Sequence, residues 1–393
     1  MNRSRRLNSV ITKTLIGVGS VVAAIVFIIA MDQLLGNLLN RFGYFKAMTP
    51  DTTETYDTGE FQFTATISAQ GLRNPIVVTP KPKGTVRLLA LGDSFTFGWG
   101  VSEKDSWVRR VESVLRSEGK HVEIINAGMP GADATEKRYI CRAYADQFNV
   151  DGVILGMYAD DFYQAAARSE HESLLDSTLL SYVPILSRIT HPVIGDYRFN
   201  SVKPGDVIDV SSSWKRAVMN ALPDYQRILP KLSPQIRSDF LNGKLNTGII
   251  TRSLNDPDFL SFMTEPGGLN LALSAIDLRM QRLKDRCTKS LPVLMVFMPD
   301  MSMVSDKYAT YSAALGFTNT PELLQLNVDT PLRQMSQKYG FQYRSVDRNF
   351  RRDGCDGCYY PYDEHLTSEG NRRVTNAILP QVRAMVDRLS KTQ

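Results

Sequence analysis

The run Val86-Arg87-Leu88-Leu89-Ala90-Leu91 is apolar on both faces apart from one arginine, and Gly92 closes it. A strand with one wet face alternates apolar and polar residues, whereas a run without alternation has to be covered from both sides, as in a parallel sheet between helix layers. The stretch Ser102–Gly119 then reads as a helix, with Trp107, Val108, Val111, Val114 and Leu115 on one stripe, Asp105 placed to cap its start and Gly119 to end it. The pattern recurs. His121–Asn126 predicts a second strand, and Tyr139, Ile140, Ala143, Tyr144 and Phe148 mark the helix after it. Gly152–Met157 and Leu291–Met298 predict two more strands, and a helix around Pro321–Tyr339, a strand at Phe341–Val346 and a last helix at Thr367–Leu389 follow. This alternation implies a three-layer α/β/α domain on a parallel sheet. Residues Phe61–Val78 carry short β-type patterns expected to pack against that sheet ahead of its first strand.

Gly92 runs into Asp93-Ser94-Phe95, so Ser94 is expected at the C-terminal edge of a strand, where open α/β sheets bind ligands. The second strand leads into Asn126-Ala127-Gly128-Met129-Pro130-Gly131 and the third opens onto Tyr158-Ala159-Asp160-Asp161-Phe162, which gathers Ser, Gly and acidic residues on one rim. Four histidines occur in 393 residues, and His365 stands in Asp363-Glu364-His365-Leu366 near the C-terminus. A serine hydroxyl is a weak nucleophile at neutral pH; it needs a base titrating near 7, and that imidazole needs a carboxylate to fix its tautomer. The other histidines, His121, His171 and His191, lie before a strand or inside a polar insert and read as surface or loop residues. Asp93 reads as an acceptor for its own turn and Asp161 as a cap or loop acceptor.

With these blocks in this order the chain resembles the SGNH (GDSL-type) hydrolase superfamily, whose name lists a Ser, a Gly, an Asn and a His. Gly92-Asp93-Ser94-Phe95 looks like the first block, Asn126-Ala127-Gly128 like the second, and Asp363-Glu364-His365 like the last, while Tyr158-Ala159-Asp160-Asp161 stands where a Gly-x-Asn-Asp block belongs. The likeness covers residues 86–131, 152–162 and roughly 291 to the end. It implies an SGNH/flavodoxin-like fold, Ser94 as nucleophile, His365 as general base, Asp363 as the carboxylate orienting it, and oxyanion donors from the backbone amides of Ser94 and Gly128. No cofactor or metal is expected. One departure matters, because the third oxyanion donor of the family is an asparagine amide and Asp160, when ionised, only accepts hydrogen bonds. Losing one such donor costs on the order of 100 to 1000-fold in rate. Either burial keeps Asp160 protonated, or Tyr158 substitutes, or backbone amides suffice, or the site is not a conventional hydrolase.

Arg3, Arg5, Arg6 and Lys13 precede an uncharged stretch, Thr14–Met31, rich in Val, Ile, Ala and Leu. About 20 apolar residues span a bilayer, so the segment predicts one N-terminal transmembrane helix, extended by Leu34, Leu35, Leu38 and Leu39 at the interface. A cleaved signal peptide competes, but no small-x-small triplet follows the apolar core. The basic flank predicts a cytoplasmic N-terminus and an outward-facing body, which makes this a single-pass inner-membrane protein with its catalytic domain in the periplasm. The expected organisation is a tail and anchor at 1–40, a flexible neck at 41–60 and an α/β domain at 61–393 carrying an insertion at about 165–268. That insertion exceeds what a crossover requires. Helices are expected within it at Ser213–Leu222 and Pro234–Leu241, with Leu269–Cys287 as the crossover helix. Emerging beside Asp160, it reads as a lid, an acceptor-binding surface or a structural cover.

Cys355 and Cys358 form a Cys-x-x-Cys directly before the histidine loop, for which a disulfide brace, a redox pair and half a zinc site compete. Cys141 and Cys287 show no spacing of a second ligand pair and are free to bond each other. With 43% hydrophobic and 22% charged residues the chain is ordinary for a globular protein, and a net charge of +5 is too small and dispersed to indicate nucleic acid. Location and resemblance together imply a serine esterase for O-acyl, above all O-acetyl, esters of a cell-surface or secreted polysaccharide. The alternatives are transfer to a sugar hydroxyl through a Ser94 acyl-enzyme, or a non-catalytic scaffold. The resemblance further implies a multi-spanning membrane acyltransferase as a partner.

Overall fold

The computed structural model describes residues 2–41, 48, 50–169, 207–209, 230, 232–242, 245, 249–250, 252–253, 256–318 and 321–392. His171, His191 and the helix expected at Ser213–Leu222 lie outside the described residues. The chain divides into two compact units. One contains the helix α1 (Asn2–Arg41), along which Ile16, Val21, Val22, Phe27 and Ile28 expose their side chains. Among the described residues no helix is long and apolar enough to cross a membrane. The anchor expected over Thr14–Met31 is therefore not established by the fold.

The second unit is built on five parallel strands, β3 (Val86–Gly92), β4 (Val122–Gly128), β5 (Gly152–Tyr158), β7 (Val293–Met298) and β8 (Gln342–Ser345). Their order is β4-β3-β5-β7-β8. The chain steps from β3 to one neighbour and returns to the other side, so the sheet switches direction at the carboxyl end of β3, the place where such sheets bind ligands. β3, β5 and β7 are buried along their whole length, as runs without alternation require. The one charge in the first run is fully spent: the Arg87 guanidinium donates to Glu123, to the Phe148 carbonyl and to the Val78 carbonyl at 2.7–2.9 Å.

Most helices lie where periodicity puts them, with informative differences. The first is shorter than expected: α3 (Trp107–Ser117) is capped by Ser106, whose Oγ accepts from the Arg109 amide, while Asp105 sits in a preceding 3-10 turn and pairs with Arg110. The single helix expected over Pro321–Tyr339 is two, Pro321–Gln325 and Asp329–Lys338. Pro331 explains the break, since it has no amide to donate to residue 327 and its ring collides with that carbonyl. The helices α4 (Ala134–Tyr144) and Gly268–Arg286 pack together and are joined by a Cys141–Cys287 disulfide. The expected helix Pro234–Leu241 is present.

The segment expected as a neck contains a strand. β1 (Thr52–Asp57) pairs antiparallel with β2 (Gln62–Ile67) and parallel with β6 (Val207–Asp209), in a sheet separate from the main one. Its threonines read as a polar linker, yet Tyr56 with Phe63, Ala65 and Ile67 covers Phe97 and Trp99, residues that directly follow Ser94. The hairpin thus packs on the rim of the main sheet where Ser94 stands.

Candidate active site

Ser94 opens the four-residue helix α2 (Ser94–Phe97) at the end of β3. Asp93 caps it, accepting from the Phe95 amide at 2.9 Å, so this carboxylate serves its own turn as expected. The close approach of α2 to β4 is possible because position 128 is glycine: a Cβ there would fall on the Phe97 amide nitrogen. A buried arginine closes the other side. Arg73 donates to the carbonyls of Phe97, Gly98 and Val101 at 3.1, 2.6 and 2.7 Å. Burial lowers its pKa to about 10, which leaves it a cation at neutral pH.

The base arrives on a loop folded back on itself. The amide of Tyr360 donates to the His365 carbonyl and that of Glu364 to the Tyr360 carbonyl, at 2.9 and 3.0 Å. Cys355 and Cys358 are bonded to each other, and the Cys358 carbonyl accepts from Thr367 at 2.8 Å, which ties the disulfide to the start of the C-terminal helix Ser368–Ser390. Within this frame His365 Nε2 lies 2.7 Å from Ser94 Oγ, and Nδ1 lies 2.5 Å from Asp363 Oδ1. Asp363 is fully buried and His365 is 18% exposed. The three residues named from sequence therefore meet as a hydrogen-bonded chain across a separation of 271 positions. With the Nδ1 proton held by Asp363, the Nε2 lone pair is left to receive the Ser94 proton.

The proposed oxyanion donors divide. The Ser94 amide opens α2 and has no acceptor among the described residues, which leaves it available to a developing oxyanion. The Gly128 amide is not available, because it donates to Asn126 Oδ1 at 3.0 Å. Its glycine serves backbone approach instead. In the turn just beyond, the amide of Gly131 has no acceptor among the described residues, and Gly131 holds φ +77°. Asp160 begins α5 (Asp160–Ser169), where its carboxylate accepts from Gln164 Nε2 at 2.8 Å and lies 3.6 Å from the Arg252 guanidinium. Asp161 is a structural acceptor: it takes both a bidentate contact from Lys137, at 2.6 and 2.8 Å, and the Tyr158 amide. Burial raises the Asp161 carboxyl against the pull of Lys137.

Trp99, Arg252 and Glu60 were not named from sequence as part of the site, and Phe95 and Tyr158 take roles there other than those expected. Phe95 stacks on Tyr158 with centroids 3.9 Å apart and lies 5.2 Å from the His365 ring, while Trp99 lies 6.0 Å from that ring, so aromatic walls flank the base. Tyr158 itself donates to Asp300, and burial holds its hydroxyl protonated well above its ordinary range. Arg252 brings a guanidinium, laid over Phe259 at 4.5 Å, to the corner occupied by Asp160. Glu60, at the tip of the β1–β2 hairpin, accepts from the Tyr362 amide at 3.1 and 3.3 Å, one residue before Asp363. Burial and the Asp363 charge push Glu60 up to about 8. No short-range signal marks any of these, since each acts across tertiary contacts.

No family model matches the chain, and no curated protein matches it. Solved structures similar to it include a member of the lipolytic protein G-D-S-L family from Veillonella parvula, at 9% identity over 75% of this chain and 97% of that one with a TM-score of 0.37. The lipase/acylhydrolase from Enterococcus faecalis is similar at 9% identity, 77% and 97% coverage and a TM-score of 0.37. A catalytic mutant of an acetylxylan esterase from Geobacillus stearothermophilus is similar at 9%, 76% and 94%, with a TM-score of 0.35. At such scores the chemistry rests on the side chains of this protein alone.

Proposed function

We propose that this chain is an SGNH-type serine esterase that removes O-acyl groups, acetyl above all, from a cell-surface or secreted polysaccharide. The observation that carries the reading is the unbroken chain Ser94–His365–Asp363, with contacts of 2.7 and 2.5 Å. In the cycle, Ser94 Oγ attacks the ester carbonyl as its proton passes to His365 Nε2, and Asp363 stabilises the imidazolium. The Ser94 amide takes the oxyanion. The proton returns to the leaving alkoxide, leaving an acyl-enzyme that water hydrolyses by the same steps.

Asp160 shapes this proposal. Paired with Gln164 and facing Arg252, it accepts instead of donating, so the oxyanion is held with fewer donors than the family pattern provides. The apolar run Thr14–Met31 behind Arg3, Arg5, Arg6 and Lys13 is the ground for reading the enzyme as anchored, with its body outside the cytoplasm. Turnover of p-nitrophenyl acetate by the full chain tests the reading. Acetate release at full rate without a sugar acceptor supports hydrolysis; release that depends on an added oligosaccharide turns the assignment to transfer, with a membrane acyltransferase as supplier of acyl groups. Absence of release under both conditions removes the enzyme reading.

A further inference from the structure

Beside the edge strand β8 lies a cavity of about 390 Å³, within the size range of ligand sites. Arg333, Arg344, Arg348 and Arg352 line it, against a single carboxylate, Asp329. A second hollow of about 290 Å³ shares Asn349 and Arg352 with the first and adds Arg372, Arg373 and one carboxylate, Asp353. Not all of these cations are neutralised. Arg333 pairs with Asp329, Arg372 with Glu369 and Arg373 with Asp353 and Glu369. Arg344 spends its donors on the Ala377 carbonyl and Asn349 Oδ1, with no acid partner. Arg348 and Arg352 are exposed and donate no side-chain hydrogen bond to any described residue. Arg344, Arg348 and Arg352 thus stand on one concave surface with no carboxylate at ion-pair distance among the described residues, an arrangement that fits an anionic ligand.

The lining also asks for donors. Gln381 Oε1 belongs to the first cavity, is shielded from solvent and has no hydrogen-bond partner. A bare carboxylate satisfies the arginines but has no proton for that oxygen, whereas a sugar acid carries a carboxylate and several hydroxyls together along a groove of this length. A flat lipid headgroup layer fits a concave groove poorly. The Ser94 rim is itself crowded with carboxylates: Asp93, Asp160, Asp300, Asp363 and Glu364 surround it, and all but Asp160 are buried. Its cations, Arg252 and Lys137, already face Asp160 and Asp161, so an acidic chain finds more unpaired positive charge along the arginine groove than at the rim. The helix carrying Arg348 and its continuation to Arg352 lead directly into the disulfide loop and on to His365.

The geometry points to a carboxylate-bearing polysaccharide, bound along this arginine groove, as the ligand of the protein outside its ester site. This deepens the esterase reading by naming the substrate class, and rests on that reading only for the role of the bound chain. The test is binding of the full chain, in detergent micelles, to oligogalacturonate, with dextran oligomers as neutral control and inorganic phosphate as competitor. Oligogalacturonate is expected to bind, dextran not, and binding is expected to weaken with salt. The double variant Arg348→Gln, Arg352→Gln should bind roughly tenfold more weakly while its p-nitrophenyl acetate turnover and melting temperature stay at wild-type values. Equal binding of dextran, unchanged binding by the variant, or displacement by an equal concentration of phosphate each overturns the proposal. Because binding is read without turnover, loss of the esterase assignment and loss of the groove assignment are separate results.

Discussion

The two halves of the candidate dyad are built differently. Ser94 is placed by main chain and packing: β3 is buried throughout, Gly128 admits α2 against β4, and Arg73 clasps the carbonyls that follow. His365 is placed by a loop whose geometry depends on side chains from distant segments. Glu60 holds the Tyr362 amide, Tyr308 Oη donates to the Cys355 carbonyl, Tyr360 Oη donates to Gly100, and a disulfide sits at the loop's foot. A nucleophile set on a sheet edge is hard to displace without unfolding the domain, whereas a base set on a loop can be displaced while the domain stays folded. The difference teaches that lesions in the frame around Ser94 should report on stability and lesions in the frame around His365 on rate.

The largest effect tests the dyad itself. Ser94→Ala should lower kcat/KM for p-nitrophenyl acetate by roughly 10⁴-fold or more with an unchanged melting temperature. Gly128→Ala sharpens the contrast from the other direction: a methyl group driven into the Phe97 backbone should cost on the order of 1 to 3 kcal/mol in denaturant unfolding, and activity should fall only in proportion to the folded fraction. On the histidine side, Cys355→Ser with Cys358→Ser should reduce kcat several-fold and leave global stability nearly intact, because the ring it opens is short. Equal effects of these two variants on stability and on rate would break the comparison.

The smallest effect is a pH signature. Glu60 has its folded-state pKa raised to about 8 from an ordinary 4.5, so the folded protein binds the extra proton between those values. Stability attributable to this group is therefore present below pH 4.5 and is lost as pH rises toward 8. Glu60→Gln keeps an acceptor for the Tyr362 amide and should remove that loss, gaining on wild type by on the order of 1 kcal/mol at pH 8 once screening at this half-buried position is counted. Thermal melts from pH 5 to pH 9 read the difference; parallel curves would show that Glu60 does not titrate against Asp363.

What could be read from sequence follows the same division. The apolar runs located the strands, since a strand covered on both faces has no polar side to hide, and turn residues at their ends located Ser94. Asp363 and His365 were legible as a pair two residues apart. The hairpin Thr52–Ile67 was not fully legible, because β1 is threonines and acids around a single aromatic, Tyr56, whose burial comes from Phe63, Phe97 and Trp99. Gly128 was read as an oxyanion donor because a motif shows which residue has an amide, not whether Asn126 already occupies it. Arg252, Glu60 and the groove arginines come from six different segments and carry no spacing that joins them.

The central claim is that Ser94 is activated by His365. The direct measurement is labelling of the full chain with a fluorophosphonate probe, followed by peptide mapping. Modification of Ser94 in wild type, with labelling lost in His365→Ala at an unchanged melting temperature, is the predicted result. Labelling absent from wild type, or equally fast in His365→Ala, would contradict it.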